Sequence, residues 1–492
     1  MDTDVYSRLD ATSIAGMIRD GEITAVEVWD AALKALDLVN PDLNGVAEGP
    51  WEQPLVHSTD GPFAGVPFAI KDVICHAEGV LSRMGSRLLG EGIRYPADTE
   101  LMDRFRRAGL ATICTTTTPE FALNVATESV LDGPTCNPWD VSRSAGGSSG
   151  GSAALVSAGA LPMAHANDGA GSIRIPAAHN GLIGLKPSRG RLPVGPDCQE
   201  IMYGLAQEFA VTKTVRDTAA LLDAVAGWAP GEKQWIAPPA RPWLEAIEAE
   251  PQGLRIAFCT EGWGGIAPAP DVAKAVSDTA RRLQERGHFV DQARPAISWE
   301  PFVDALVTTW CSGTAALLVP LASEMRLEAG RLPVERTTQA CLDHGLTMTP
   351  VDLGRAMASY NTLSRSIGSF FEGWDVLLTP VGVAVAPELG FFNADDASIS
   401  GPDWVKMLVE YYPYLAPFNV SGTPALAVPI GVSSDALPIG VQLTAQMGRE
   451  DVLLQVARQL EQSDLWNRAV PAYHVSKINP ITTAADQLVA RP

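Results

Sequence analysis

Between Asn137 and Pro187 the chain is unusually rich in glycine, serine and alanine, and this stretch holds two clusters of small residues about 20 positions apart. The first is Gly146-Gly147-Ser148-Ser149-Gly150-Gly151-Ser152. Such a run lets backbone approach a ligand closely and adopt dihedrals closed to other residues. Taken alone it reads as a flexible linker. Here it runs straight into Ala153-Ala154-Leu155-Val156, a helix-like packed segment. The second cluster, Asn167-Asp168-Gly169-Ala170-Gly171-Ser172-Ile173-Arg174-Ile175-Pro176, follows a short apolar stretch from Leu161 to Ala166. Consecutive small residues at a strand end can turn their N–H groups into one cavity, an anion-binding nest. Beside a nucleophile, such a nest becomes an oxyanion hole. A third piece is Lys71, where the apolar strand Gly65-Val66-Pro67-Phe68-Ala69-Ile70 ends. Two serine-bearing glycine loops and a lysine at a strand end point to a serine nucleophile with a lysine base.

The rest of the chain alternates strand and helix patterns. Thr24 and Glu27 form a capping box, with Ile23 and Val28 as the hydrophobic staple. Val28, Ala32, Ala35 and Val39 share one face, and Asn40-Pro41 is expected to end that helix. Leu254 to Thr260, Asp271 to Arg286 and His288 to Ala293 read as a β-α-β unit. Asp375 to Thr379, Ala425 to Ile430 and Ile439 to Thr444 read as strands, and Glu450 to Glu461 as a closing helix. The expected fold class is α/β, a large mixed sheet covered by helices on both faces. We expect a single domain over 1–492, with N-terminal helices at about 8–40, a core at about 65–190 and a variable substrate region at about 230–420. The proline cluster in Ala229 to Pro242 is either an internal boundary or a surface loop.

Charge narrows the partners. With 57 acidic against 36 basic residues the formal net charge is −21. That sign excludes nucleic acid and an anionic membrane surface as expected partners. At 46% apolar and 19% charged residues, the chain can bury a large core. The apolar stretches Ala153 to Ala166 and Ala315 to Leu321 are short and carry Pro162 or Pro320. Met1-Asp2-Thr3-Asp4 has no basic n-region, so no secretory signal is expected. The seven cysteines form no C-x-x-C pair, and the histidines have no metal-ligand spacing. A reduced, cytoplasmic protein without a bound metal is the plain expectation. His165 and His179 are read as core or surface residues.

Several motifs now stand in order: Lys71-Asp72, the two small-residue clusters, Thr118-Pro119-Glu120-Phe121, Asn137-Pro138-Trp139, Gly184-Leu185-Lys186-Pro187-Ser188, Pro417-Phe418-Asn419 with Ser421-Gly422, and Pro438-Ile439-Gly440-Val441-Gln442. Together they resemble the amidase signature family over roughly residues 8 to 465. The resemblance implies hydrolysis of amide C–N bonds without a cofactor. It implies Ser172 as nucleophile, Ser148 as a bridging serine after a cis peptide bond from Gly147, and Lys71 as base. It also implies an oxyanion hole from the backbone N–H groups of Gly169, Ala170, Gly171 and Ser172. The commonest family form has two glycines before the nucleophile, whereas this chain has Ala170 then Gly171. A similar variant occurs in members resembling the 6-aminohexanoate-cyclic-dimer hydrolases. The usual Lys-Thr-Asn-Thr-Pro is here Thr115-Thr116-Thr117-Thr118-Pro119, and Cys75 to Gly85 also departs from the pattern.

Around this set, Asp168 and Arg174 are expected to pair and hold the nucleophile loop, the alternative being a partly exposed bridge of little weight. Asp72 is expected to make structural hydrogen bonds. Cys311 is read as a buried thiol or as pocket lining. Trp404, Tyr411, Tyr412, Tyr414 and Phe418 are read either as core packing or as one wall of a substrate pocket. The polar segment Gly390 to Gly401 is the candidate lid. An aromatic wall favours small hydrophobic substrates: anilides, oligoamides, aryl carbamates or ureas.

Two rival enzymes share parts of this pattern. Gly146-Gly147-Ser148-Ser149-Gly150 satisfies the G-x-S-x-G of an α/β-hydrolase esterase, but Asn137 to Arg143 before it reads as a loop where a strand is required. The A-type subunit of a glutamine-dependent tRNA amidotransferase shares the signature, and the net charge opposes its tRNA contact. A binding protein that kept the fold is opposed by the intact Lys71, Ser148 and Ser172. A homodimer is compatible with the sequence.

Overall fold

The computed structural model describes residues 1–478. Three helices open the chain: Thr3–Arg8, Ala11–Arg19 and Ala25–Leu43. The capping box forms as expected, with Glu27 N–H donating to Thr24 Oγ1 at 3.2 Å and Thr24 N–H to Glu27 Oε2 at 2.9 Å. The third helix does not stop at Asn40-Pro41 but runs on to Leu43. Pro41 sits in the last turn, where Asn44 N–H still reaches Asn40 O at 2.8 Å and closes the helix in a left-handed cap.

Eleven strands form two main sheets. The small sheet contains β1 (Val46–Glu48), β2 (Val66–Lys71) and β3 (Leu110–Thr116) in the order β1-β3-β2. The large sheet has eight: β4 (Met163–Asp168), β5 (Ile183–Lys186), β6 (Gln207–Thr212), β7 (Arg255–Phe258), β8 (Phe289–Gln292), β9 (Val376–Pro380), β10 (Ala425–Val432) and β11 (Pro438–Ala445). Their order is β4-β6-β5-β10-β11-β9-β7-β8. Pairing is antiparallel from β4 to β9 and parallel across β9-β7-β8. The sheet is therefore mixed, and the helix Pro270–Glu285 connects the parallel pair β7 and β8 as the sequence pattern predicts. Every residue of β2, β4 and β6 is buried, which explains their lack of polar alternation.

The first small-residue cluster is not a linker. It leads into the helix Gly150–Ser157, all eight residues of which are buried. Residues 140–144 also differ from the expected loop: Asp140–Ser144 is a strand, paired antiparallel with Cys136–Asn137. This hairpin stands outside the large sheet, so it supplies no nucleophile elbow. The 229–242 segment is a surface loop tied to its neighbours. Glu232 Oε1 accepts from Val194 and Gly195 N–H at 2.8 Å each, and Arg191 Nη1 donates to Ala237 O at 2.8 Å.

The helix Trp299–Glu324 is long and apolar enough to cross a membrane by length and composition alone. Here it packs against the helices Arg336–Gly345, Pro350–Gly373 and Gly401–Tyr411. Pro320 lies within it. One face of this helix reaches the cavity described next.

Candidate active site

Three chain segments converge on Lys71, the last residue of β2. Its side chain is fully buried. The amine Nζ lies 2.6 Å from Ser148 Oγ and 2.6 Å from Asn167 Oδ1. Burial draws the amine down to about 7 from its ordinary 10.5, against the opposing pull of the Glu208 and Asp168 carboxylates. A lysine near 7 exchanges protons at neutral pH. Asn167 Oδ1 can only accept, so a neutral amine would spend an N–H on it and could turn its lone pair to the Ser148 hydroxyl.

Ser148 follows a cis peptide bond from Gly147. Gly147 has no room for a side chain, because a Cβ there would stand 2.7 Å from Ala126 N and from Val125 C. Ser148 and Ser172 both line a cavity of about 380 Å³, together with Asn167, Gly169 and Ala170. Lys71 does not line it. The lysine reaches the cavity through Ser148.

Asp168 shapes the loop that carries Ser172. Its carboxylate accepts from Gly171 N–H at 2.7 Å and from Ile173 N–H at 3.2 Å. The Gly171 N–H is therefore spent on the loop's own scaffold and leaves the expected oxyanion set. Gly169, Ala170 and Ser172 remain as the members of that set that line the cavity. Gly171 itself has φ +136°, and a Cβ there would meet Leu415 Cδ1 at 2.5 Å. The Ala170 substitution falls beside it, where no such demand exists.

The Asp168–Arg174 pair forms as expected and is fully buried rather than partly exposed. Arg174 Nε and Nη2 each reach the carboxylate at 2.8 Å. The remaining donors go to Leu415 O, Gln442 Oε1 and Asn419 Oδ1 at 3.1, 2.7 and 2.6 Å. Burial pushes Asp168 up, but the Arg174 charge and hydrogen bonds outweigh it and hold the carboxyl below the usual range. Asp72 has the structural role expected of it, accepting from Arg83 and Met84 N–H at 3.0 Å each. Burial raises its carboxyl to about 6.

The expected pocket residues are elsewhere. Cys311, Trp404, Tyr414 and Phe418 are all buried and none lines the cavity. Trp404 Nε1 donates to Leu123 O at 3.4 Å, one layer behind the wall. The Tyr414 hydroxyl donates to Thr260 O at 2.9 Å, and both Tyr414 and Phe418 pack on Trp263. The core reading of these aromatics is the correct one. Cys311 misses the wall by one residue: its neighbour Trp310 lines the cavity, with Gly313, Thr314 and Leu317 on the same helical face. A one-residue step turns a side chain by about 100° around a helix. The Gly390 to Gly401 segment is no lid either. None of it lines the cavity, and Phe392 O and Ala394 O accept hydrogen bonds from Asn124 Nδ2 and Thr337 N–H.

The actual wall is built from Met84, Phe121, Met202, Tyr203, Trp310 and Leu317, with Glu200 as a carboxylate at its edge. Among the described residues, nine non-glycine positions have positive φ, and six of them (Ile74, Met84, Phe121, Ala122, Met202 and Tyr203) line this cavity. For β-branched Ile74 at φ 69° this is a genuine outlier. Such conformations persist only where surrounding bonds fix them, and they gather at functional sites. Here Asp72 holds Met84, and Phe121 N–H donates to Met84 O at 2.8 Å. Sequence reasoning missed Asn167 as the second partner of Lys71, although it opens the second small-residue cluster.

A buried lysine bonded to one serine thus stands behind an apolar cavity that this serine and a second one line. The family described as Amidase matches residues 27–454. The chain is 36% identical over 471 residues to a 6-aminohexanoate-cyclic-dimer hydrolase of Paenarthrobacter ureafaciens, covering 93% of this chain and 95% of the relative. It is 30% identical to an acylamidase of Rhodococcus erythropolis, covering 94% and 97%. The solved structure of a 6-aminohexanoate cyclic dimer hydrolase superposes with a TM-score of 0.88 at 34% identity, covering 96% of this chain and 99% of that one. The chain belongs to the amidase signature family. It is an enzyme that hydrolyses amide C–N bonds.

Proposed function

We propose that Ser172 is the nucleophile, Ser148 the proton relay and Lys71 the base in the hydrolysis of small hydrophobic amides. The observation that carries this reading is the 2.6 Å contact between buried Lys71 Nζ and Ser148 Oγ, behind a cavity that Ser148 and Ser172 share. Ser172 Oγ bonds to the substrate carbonyl carbon. Its proton passes to Ser148 Oγ while the Ser148 proton passes to Lys71 Nζ. The carbonyl oxygen, now an oxyanion, accepts from Gly169, Ala170 and Ser172 N–H. The C–N bond then breaks, and the departing amine takes a proton back along the same relay. Water enters the vacated space, gives a proton to the relay and bonds to the acyl carbon; the ester C–O bond breaks, and the relay returns that proton to Ser172 Oγ as the acid leaves.

The wall favours an apolar acyl or amine portion of modest size, and the 36% identity to a cyclic-dimer hydrolase makes cyclic and linear oligoamides the first class to test, with anilides next. A panel of oligoamides, anilides, aliphatic amides, carbamates and ureas tests this directly. Turnover of at least one amide class is expected, and inert behaviour towards every class would overturn the reading. Gly313 faces the cavity with only Tyr203 Cε2 within contact of a Cβ, at 3.7 Å. G313F should therefore fold normally and raise KM for the bulkier amides by about tenfold or more, a shift of 1.4 kcal/mol. The smallest amides should be spared.

The pH dependence follows from the lysine. The base must be unprotonated to accept a proton, so kcat/KM should be low in acid and rise through about pH 7 as Lys71 loses its charge. A profile of kcat/KM against pH for one amide checks this. A rise centred near 10, the range of an ordinary lysine, would contradict it.

A further inference from the structure

The relay leaves unused the buried ionic group that stands against Lys71. Behind Lys71 stand His165 on β4 and Glu208 on β6, both buried. Their placement follows from strand register. Asn167 lies directly opposite Glu208 in the antiparallel β4–β6 pair, and His165 is two residues back. Residues at i and i+2 share one face of a strand, and cross-strand partners share it too. Asn167, His165 and Glu208 therefore lie on one face of the sheet, the face that meets β2.

Each makes a defined contact. Asn167 takes the Lys71 amine, and Lys71 N–H donates to His165 Nδ1 at 3.2 Å. His165 Nε2 lies 2.6 Å from Glu208 Oε2. A backbone N–H only donates, so Nδ1 accepts and carries no proton. The proton is then on Nε2, donated to the carboxylate. An imidazole with a single N–H carries no charge that would cancel one on the carboxylate beside it. The second oxygen of Glu208, Oε1, is buried and has no hydrogen-bond partner among the described residues. An incompletely satisfied buried carboxylate is expensive and needs an explanation.

We propose that His165 and Glu208 are positioning residues for Lys71: the imidazole clamps the end of β2 through the Lys71 N–H, and the carboxylate supplies the uncompensated charge that keeps the buried amine able to capture a proton. This rests on Lys71 being the base. Of the other groups around the amine, only Asp168 adds to that pull, and it adds less than Glu208. Asp168 on β4 is spent on Arg174 at 2.8 Å and also faces Lys186 of β5. Cys75, beyond β2, is pushed up by burial and stays a thiol. Asp72 is bound to the Arg83 and Met84 N–H groups. Ser148 and Asn167 are neutral. Glu208 opposes the downward pull of burial on the amine, and a base needs that proton affinity to draw on a serine hydroxyl.

The test compares E208Q with E208D, read as the pH profile of Ser172 labelling by a fluorophosphonate and of amide turnover. E208Q keeps the volume and removes the charge. The midpoint of its alkaline rise should fall by about one pH unit, the size expected for loss of a nearby opposite charge. E208D keeps the charge but stands one methylene short of His165. It should hold the wild-type midpoint while kcat falls about tenfold at nearly constant KM. A purely structural role predicts lower thermal stability with an unmoved midpoint in E208Q, and that result overturns the proposal. Should E208Q not accumulate as folded protein, an E208D variant with wild-type kcat overturns it instead. Failure of the underlying reading looks different: S172A would retain labelling, or K71A would retain turnover.

Discussion

S172A is expected to lower kcat on any accepted amide by about 10³- to 10⁶-fold, the range seen when a nucleophile is removed from a serine hydrolase. No other oxygen in the site can replace it. Ser148 shares the cavity, but its hydroxyl is held by Lys71 at 2.6 Å. Folding should be unaffected, since Ser172 Oγ makes no hydrogen bond among the described residues that the change would remove. S148A and K71A should each cost a comparable factor, and the S172A/K71A double variant should be little worse than S172A alone. Members of one relay act as a unit, so their losses do not add. Steady-state rates of the four variants on one amide, with circular dichroism as a folding control, measure this. Additive losses would place Lys71 outside the relay.

The second large effect is on stability. R174M should destabilise the protein by about 3–5 kcal/mol, the usual cost of breaking a buried ion pair by removing one partner. The change strands the fully buried Asp168 carboxylate and leaves the side chains of Gln442 and Asn419 without their donor. It also frees the loop that Asp168 ties through Gly171 and Ile173, so activity should fall together with the melting temperature. Adding D168N to R174M should cost less than the sum of the two single changes, because the stranded charge is gone. The sign of the pH effect follows from the lowered carboxyl of Asp168. Its contribution is fully present above the ordinary carboxylate range near 4 and is lost as pH falls below it. Denaturant titrations of both variants at neutral and acidic pH check this, and equal stability of R174M and wild type would contradict it.

How far the sequence reached depended on the range of each interaction. Local signals worked: the capping box at Thr24 and Glu27 and the helix Glu450–Glu461 depend on neighbours within one element, and the parallel strands around Pro270–Glu285 on consecutive elements. Ser148 and Ser172 stand out as candidates within consecutive small residues, and Lys71 stands out as a charge at the end of an apolar strand. The substrate wall was not. Aromatic residues between Trp404 and Phe418 look equally suited to a wall or a core, and only the packing on Trp263 and Leu123 decides. Cys311 failed by helical phase, because the wall is set by Trp310, Gly313, Thr314 and Leu317. The support of Arg174 by Asn419 and Gln442 crosses 245 and 268 residues. Both lie in motifs that could be read as important, yet nothing local says what they touch. The His165–Glu208 pair was invisible for the same reason, since it appears only once β4 and β6 are in register.

The claim that Ser172 forms the acyl-enzyme is tested most directly by locating the covalent adduct. The protein should be treated with a fluorophosphonate, or quenched in acid during turnover of an activated amide, and its intact mass and peptides measured. The account predicts one adduct per chain, on the peptide carrying Ser172, and none in S172A. An adduct on Ser148 or any other residue, or undiminished labelling of S172A, would contradict it.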